Sequence, residues 1–463
     1  MQDDNINFAS EPLSDDSVDG VHLDKQQEEK LVKEINKWKD LEDYIETGEV
    51  EIDEERAEVA KCIISQIESG THIQLLSIPG ADPLNLEKKP QKKDSKTYFQ
   101  ENSLEKTKKG EVTLKDMSML KIQLDITSKI VKQLGKNLIT RNFRNLSLPI
   151  TIFEPRTYLQ HYAQSLSFAP DIIKEAMKMP RLEDRLLKCG NIITSSFNFS
   201  ILWRQPLNPI LGETLTGYLG DVELYGEQIS HHPPIGYFYM KGPGFKMYGN
   251  FETKILIRIP KVKVAIVGTI TLEFEDIGKK IKFYYPPVYI GGVLSGSRNF
   301  SVEGRCHAWC EEEKIIAEMF FAPSGKRFYQ IWKSQSFKDK VEGGLYKVPE
   351  KIMTEFAKNP RKSKNMQDYG PNAFKIVGIE GKWTSVMNFG YYSWDVDKNT
   401  GWTLKESTKM LPSDSNFRLD LLNMKLGKFR EASEFKSKME EDQRRDKKLR
   451  IEAEKTRKNE NSN

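Results

Sequence analysis

Along residues 262–274 every even position is apolar or glycine (Val262, Val264, Ile266, Gly268, Ile270, Leu272 and Phe274), whereas the odd positions are largely polar or small. A repeat of two puts alternate side chains on opposite faces of an extended chain, so this stretch predicts a long strand with one face in a core. Asp276 to Lys280 reads as a turn. Lys282 to Ile290 reads as the next strand, irregular at Pro286-Pro287 because proline gives no N–H to a ladder. Alternation returns in Phe300, Val302, Gly304, Cys306, Ala308 and Cys310. Shorter strand-like runs follow at Ile315 to Phe321, Phe328 to Trp332, Lys382 to Phe389 and Tyr391 to Val396. So many strands between about residues 198 and 400, with few helices among them, predict a large antiparallel sheet that closes or nearly closes on itself. A Lys- and Gly-rich excursion over 338–370 interrupts it.

The flanks follow other patterns. Residues 1–24 are acidic and aperiodic, which predicts a disordered tail. Lys25 to about Gly70 carries charges at three- and four-residue spacing and predicts helix; 79–110, rich in Lys, Pro, Ser and Asp, predicts a linker, so 25–112 is taken as an N-terminal extension. Met117, Leu120, Leu124, Val131, Leu134 and Leu138 then fall on one stripe with lysines opposite, an amphipathic helix over about 117–140. Such a helix either packs on the protein's own core or serves as a mobile element that closes a cavity or meets a membrane. From about Leu419 the chain predicts a charged helix, ending in a charged tail over 446–463.

Charge changes this picture more than composition does. The net +4 of the 463 residues divides into −14 over residues 1–60, +4 over 421–463 and +14 between them. A basic body behind an acidic tail points to an anionic partner, a membrane surface or a nucleic acid. With 30% charged and 38% hydrophobic residues the chain is of the soluble globular class. No apolar run reaches the roughly 18 residues of a membrane-spanning helix, and the first thirty residues lack a signal-peptide core. The expected location is cytoplasmic. Four cysteines suit a reducing compartment.

Two patterns imitate metal sites. In Cys306-His307-x-x-Cys310 the strand period sends the cysteines to one face and His307 to the other, and about 13 Å along a strand separates the two thiols. Asp395-x-Asp397-x-Asn399 with Glu406 resembles a calcium loop, but Thr400 stands where the sharp turn needs the glycine found at Gly401, so a hairpin turn is the better reading. No metal or cofactor is expected. Walker, Rossmann, HExxH and GxSxG signatures are absent from the sequence, as are nucleic-acid-binding signatures, so neither an enzyme nor a nucleic-acid partner is expected.

The informative stretch is Glu227-Gln228-Ile229-Ser230-His231-His232-Pro233-Pro234, since the chain holds only six histidines. A histidine pair can donate two hydrogen bonds to a phosphate or another anionic oxygen. Consecutive strand residues point to opposite faces, so both reach one ligand only where the backbone bends, and Pro233-Pro234 favours a bend. On this chemistry alone, an anion site and a plain turn both remain open.

EQISHHPP resembles the fingerprint of the oxysterol-binding protein-related family of lipid-transfer proteins. Further blocks resemble that family in its order: NLSLPITIFEPRTYL (145–159), PLNPILGETL (206–215), IGGVLSGSR (290–298), GKW (381–383), LPSDSNFR (411–418) and LGKFREASEFKSKMEEDQR (426–444). The resemblance spans about 113–445. It implies a mainly β fold with helices: a large incomplete antiparallel β-barrel (about 198–400) around a lipid tunnel, an N-terminal lid, for which 117–140 is the candidate, and a C-terminal helical part at about 411–445.

It also implies function. A sterol or phospholipid would be carried between membranes, alone or in exchange for phosphatidylinositol 4-phosphate, by a protein peripheral to anionic membranes or membrane contact sites; a lipid sensor or scaffold without net transfer is the alternative. The headgroup residues carried over are His231, His232 and Asn208. Gln205 stands where the family has Lys, with Arg204 before it, and Asn416 replaces an Arg, leaving Asp414 and Arg418 as an acidic-plus-Arg pair.

Overall fold

The structure is a computed structural model that describes residues 91–102, 104–114, 150–201, 204–231, 233–258, 261–292, 298–323 and 338–460. The lid candidate at 117–140, the strand expected at Phe328 to Trp332 and His232 lie outside the described residues.

Strand β1 (Lys92–Asp94) leads into helix α1 (Ser95–Glu101), where the Asp94 carboxylate accepts from the Thr97 amide at 2.7 Å and caps the first turn. Strands β2 (Leu104–Lys106) and β3 (Val112–Leu114) form a hairpin. The linker expected over 79–110 is therefore corrected from residue 92 onward: Tyr98, Phe99, Leu104 and Val112 are buried. A few apolar residues among lysines are enough to dock a helix whose remaining side chains stay in water.

Strand β4 (Phe153–Thr157) ends in a capping box, Thr157 with Gln160, that starts α2 (Tyr158–Ser165); α3 (Ala169–Met177) and α4 (Leu182–Ser196) follow. Strand β5 (Gln205–Leu207) pairs in parallel with β4. Then come β6 (Thr214–Leu219), β7 (Val222–Ser230), β8 (Ile235–Gly242), β9 (Phe245–Arg258), β10 (Lys261–Val267) and β11 (Ile270–Phe274). The next strands are β12 (Lys279–Phe283), β13 (Val288–Gly291), β14 (Asn299–Val302), β15 (Gly304–Cys310), β16 (Ile315–Phe321) and β17 (Lys340–Lys347). Helix α5 (Glu350–Lys358) precedes β18 (Phe374–Lys382), β19 (Val386–Asn388), β20 (Ser393–Asp395), β21 (Thr400–Trp402) and β22 (Leu404–Glu406). Helices α6 (Leu419–Lys425) and α7 (Phe429–Glu460) close the chain, α7 running past the expected boundary at 445.

The period of two forecasts the sheet but not its breaks. The single strand expected over 262–274 is two strands, because Gly268 takes φ +149 and a Cβ there would lie 2.1 Å from the Asn250 carbonyl oxygen. Pro286-Pro287 divides β12 from β13, and Gly304, at φ +109, begins β15. Within the expected excursion at 338–370, β17 is a full sheet strand.

Antiparallel ladders run β22–β6–β7–β8–β9–β11–β12–β15–β16–β17–β18–β19–β20, and from the second half of β9 a branch runs β10–β13–β14–β3–β2. Among the described residues no ladder joins the ends, so the sheet is an incomplete barrel. Helix α2 packs on β6 and β7, and α4 on β12, β15 and β16. Between them lies one large apolar core that includes Phe197, Phe199, Phe321 and Trp383. A smaller core, Ile150, Phe153, Leu207, Leu421, Met424 and Ala432, fastens α6 and α7 to the β4–β5 pair.

Candidate functional site

The structure joins three blocks that lie far apart in sequence. The Gly212 amide donates to the Gln228 carbonyl and the Gln228 amide to the Glu213 carbonyl, both at 2.9 Å, so PLNPILGETL lies against the end of β7. The Thr214 amide donates to the Ser413 carbonyl at 2.9 Å, which adds the LPSDSNFR block. At the end of β7 the register shifts between Gln228 and Ser230, and Gln228 Nε2 donates to the Ser230 carbonyl at 2.6 Å. This irregularity, ahead of the bend expected at the histidine pair, releases the chain into the turn at His231.

His231 is half-buried in this turn; Pro233, Pro234, Glu227 and the Asn208 side chain are exposed, and Ser230 is half-buried. Gln228 is buried and braces the bend.

Asp414 and Arg418 belong to the interior, which corrects their assignment to the headgroup. Arg418 Nη1 donates to Glu213 Oε2 and to the Asn208 carbonyl, both at 2.7 Å, while Nε and Nη2 donate to Asp420 at 3.0 and 2.7 Å. Burial opposes its charge, yet the carboxylates of Glu213 and Asp420 outweigh burial and hold it protonated. Asp414 accepts from the Thr216 amide at 2.9 Å and from Asn416, whose Oδ1 accepts from Gln160 Nε2 at 2.8 Å. Burial pushes the Asp414 carboxyl up to about 6. The network welds the motif blocks together and commits four of the five N–H donors of Arg418 to the interior.

Cations for an anion come from the β4–β5 side. Arg204 and Gln205 are half-buried, and Gln205 sits opposite Phe153 in the parallel ladder. Lys436 of α7, 6% exposed, holds its ammonium 5.3 Å from the centre of the Phe153 ring and 2.6 Å from Glu440. A buried ammonium thus lies one strand away from the position where Gln205 replaces Lys. Glu154, 3.6 Å from Arg156, is pushed up to about 7 by burial, against the pull of Arg156 and Arg204. In the chain alone, Lys436 and Glu154 carry no mark beyond their presence in blocks already quoted.

Beside the turn runs an apolar wall. Along the core-facing side of β9, Phe245, Met247 and Phe251 are fully buried, with Phe251 stacked on Tyr162 of α2, whereas Ile255, four residues beyond Phe251 on the same face, is 59% exposed. Its ladder partners continue the wall: Ile255 faces Val264, Val264 faces Val288 and Val262 faces Ile290, all half-buried. A cleft of about 340 Å³ between Glu311 and helix α5 shares no lining residue with it.

The metal look-alikes have other partners. His307 Nδ1 lies 2.6 Å from Tyr284 Oη, and its Nε2 lies 3.1 Å from Glu318. Asp395 caps the turn Val396–Lys398 through the Asp397 amide at 3.0 Å, and Asp397 faces Lys106 at 3.6 Å.

Residues 129–461 match the model of the oxysterol-binding protein family. The chain belongs to that family. Among curated relatives it is similar to oxysterol-binding protein 9 of Dictyostelium discoideum, 28% identical over 337 residues that cover 71% of this chain and 76% of the relative. It is also similar to oxysterol-binding protein homolog C23B6.01c of Schizosaccharomyces pombe, 25% identical over 215 residues, 42% of this chain and 44% of the relative. The fold is shared with the Osh3 ORD of Saccharomyces cerevisiae, solved with PI(4)P (TM-score 0.52, 17% identity, 69% of this chain and 84% of that one). It is shared as well with the Osh1 ORD solved with cholesterol (TM-score 0.54, 18% identity, 86% and 89%). Among the described residues no helix is long and apolar enough to cross a membrane.

Proposed function

We propose that this family member binds one lipid against the apolar wall beside β9 and β10 and carries it between membranes, with a phosphoinositide headgroup held at the His231 turn. The wall carries the proposal. Apolar strand faces are normally covered by other side chains, and each CH₂ left in water costs about 0.8 kcal/mol. An Ile exposed over 59% of its surface on the core side of a sheet is a surface that a sterol or acyl chain covers. The relatives' complexes with PI(4)P and cholesterol support the two ligand classes. His231 and His232 donate to the phosphate, Asn208 assists, and Arg204 supplies charge in place of the missing Lys at Gln205. The lipid leaves chemically unchanged, which mass spectrometry of the recovered lipid checks.

The test is transfer between liposomes of a fluorescent sterol and of phosphatidylinositol 4-phosphate, with mass spectrometry of lipids that co-purify. The double variant His231→Ala/His232→Ala should lose phosphoinositide extraction by at least about tenfold, as expected for two charge-assisted bonds, and keep its sterol. Undiminished extraction would remove these residues from the site. Binding of both lipids with no net transfer would favour a sensor or scaffold.

A further inference from the structure

We propose that the edge of β9 beyond β8, backed by β10, docks the protein on an anionic bilayer, inserting among the lipid headgroups. This rests on the lipid-carrying reading, for which it names the contact with the membrane.

The register defines this edge. The last pair between β8 and β9 is Ile235 with Glu252, so among the described residues β9 from Thr253 to Arg258 runs beyond β8 and pairs only with β10, which β13 backs at Val262–Val264. Six residues at about 3.3 Å each carry it roughly 20 Å past the end of β8. The root of this edge lies beside the His231 turn, since Ile235 pairs with both Ser230 and Glu252. The protrusion is therefore at the same end of the sheet as the proposed headgroup site.

Its surface is unlike that of an ordinary soluble hairpin. Lys254, Ile255 and Leu256 are exposed in succession, Ile255 toward the core side and Leu256, 44% exposed, toward the outside. On β10 every residue from Val262 to Val267 is half-buried, with no alternation between a packed and a solvated face. The outer face adds Lys261, exposed and 3.6 Å from Glu303, and Lys263, whose ammonium stands 5.8 Å from the Tyr289 ring centre. Among the described side chains of this edge, Lys254, Lys261 and Lys263 stand against Glu252, which lies 3.3 Å from Lys254.

The charge selects the occupant. The exposed Leu256 demands an apolar cover, and an excess of two positive charges repels a second copy of the same edge. It attracts an anionic leaflet. The unladdered backbone edge of β9 limits the depth: its N–H and C=O groups find partners among headgroups and water but not in hydrocarbon. Interfacial insertion, with lysines reaching to phosphate and Leu256 below them, satisfies all three constraints.

The experiment is co-sedimentation of the full chain with phosphatidylcholine vesicles, with and without phosphatidylserine, and free of sterol and phosphoinositide, so that docking is read without cargo. The wild type should pellet with the anionic vesicles only, and added salt should release it. Leu256→Glu and Lys263→Glu should each lower the partition about tenfold, and Leu256→Ser, which adds no charge, should lower it less. All three should keep the wild-type urea transition and the co-purified lipid. Wild-type partition in the variants overturns the proposal, and so does equal binding to neutral vesicles. Sedimentation velocity that shows the edge residues holding a dimer, with vesicle binding unchanged, overturns it in favour of self-association. Docking that persists in a protein carrying no lipid sinks the lipid-carrying reading and leaves the docking edge standing; co-purified lipid without vesicle binding does the reverse.

Discussion

Arg418 commits its guanidinium to Glu213, Asp420 and the Asn208 carbonyl, and both carboxylates are almost wholly buried. Arg418→Leu would leave two buried acids without their cation, a change that costs about 3–5 kcal/mol. Urea unfolding should show a loss of that size. A headgroup role predicts instead a normally stable protein that has lost only phosphoinositide binding. Such a split between chemistry and scaffold was illegible beforehand. The motif blocks marked His231, Asn208, Asp414 and Arg418 alike, because a sequence pattern tells which residues matter without telling which way they point. Lys436 was missed for the opposite reason: paired with Glu440 at i,i+4 it resembles any solvated helix face, and only packing against Phe153 makes it a buried cation.

Strand type was readable wherever one face of the element meets the core and the other does not. Strand β16 occupies the expected span, Ile315–Phe321. Helix α4 left no stripe to read because nearly all of it is buried, Cys189, Gly190 and Asn191 included. Breaks within an alternating run are the other blind spot, and Gly268 decides the most consequential one. By parting β10 from β11 it lets β10 follow β9 outward and pair with β13, while β11 stays beside β12. A side chain at 268 meets the Asn250 backbone and a φ of +149 that L-residues rarely adopt. Gly268→Ala should therefore cost about 1–3 kcal/mol in urea unfolding. A neutral result would mean that the docking edge does not need this break.

Across the whole molecule, the parts that patterning separates are joined by ladders. The segment expected to be a linker supplies β1, which pairs with β21 some three hundred residues later, and β2, which joins the branch through β3 and β14. Tyr98 packs its ring 4.8 Å from that of Phe199, and its hydroxyl donates to the Ile201 carbonyl at 3.2 Å, so α1 shares the core that α2 and α4 occupy. Short strands carrying one or two apolar residues each give no periodicity to detect, which is why this junction could not be seen in the chain alone. It sets a sharp expectation for Phe99, 5% exposed beside the Lys106 ammonium at 5.6 Å. In a linker, Phe99→Ala would change stability by less than about 0.5 kcal/mol. As part of the common core it should cost about 3–5 kcal/mol and lower the midpoint of a single cooperative transition followed by both tryptophan fluorescence and far-ultraviolet circular dichroism. If the two probes separated in that variant, residues 92–114 would be a satellite unit docked on the sheet, and the core would end at α2.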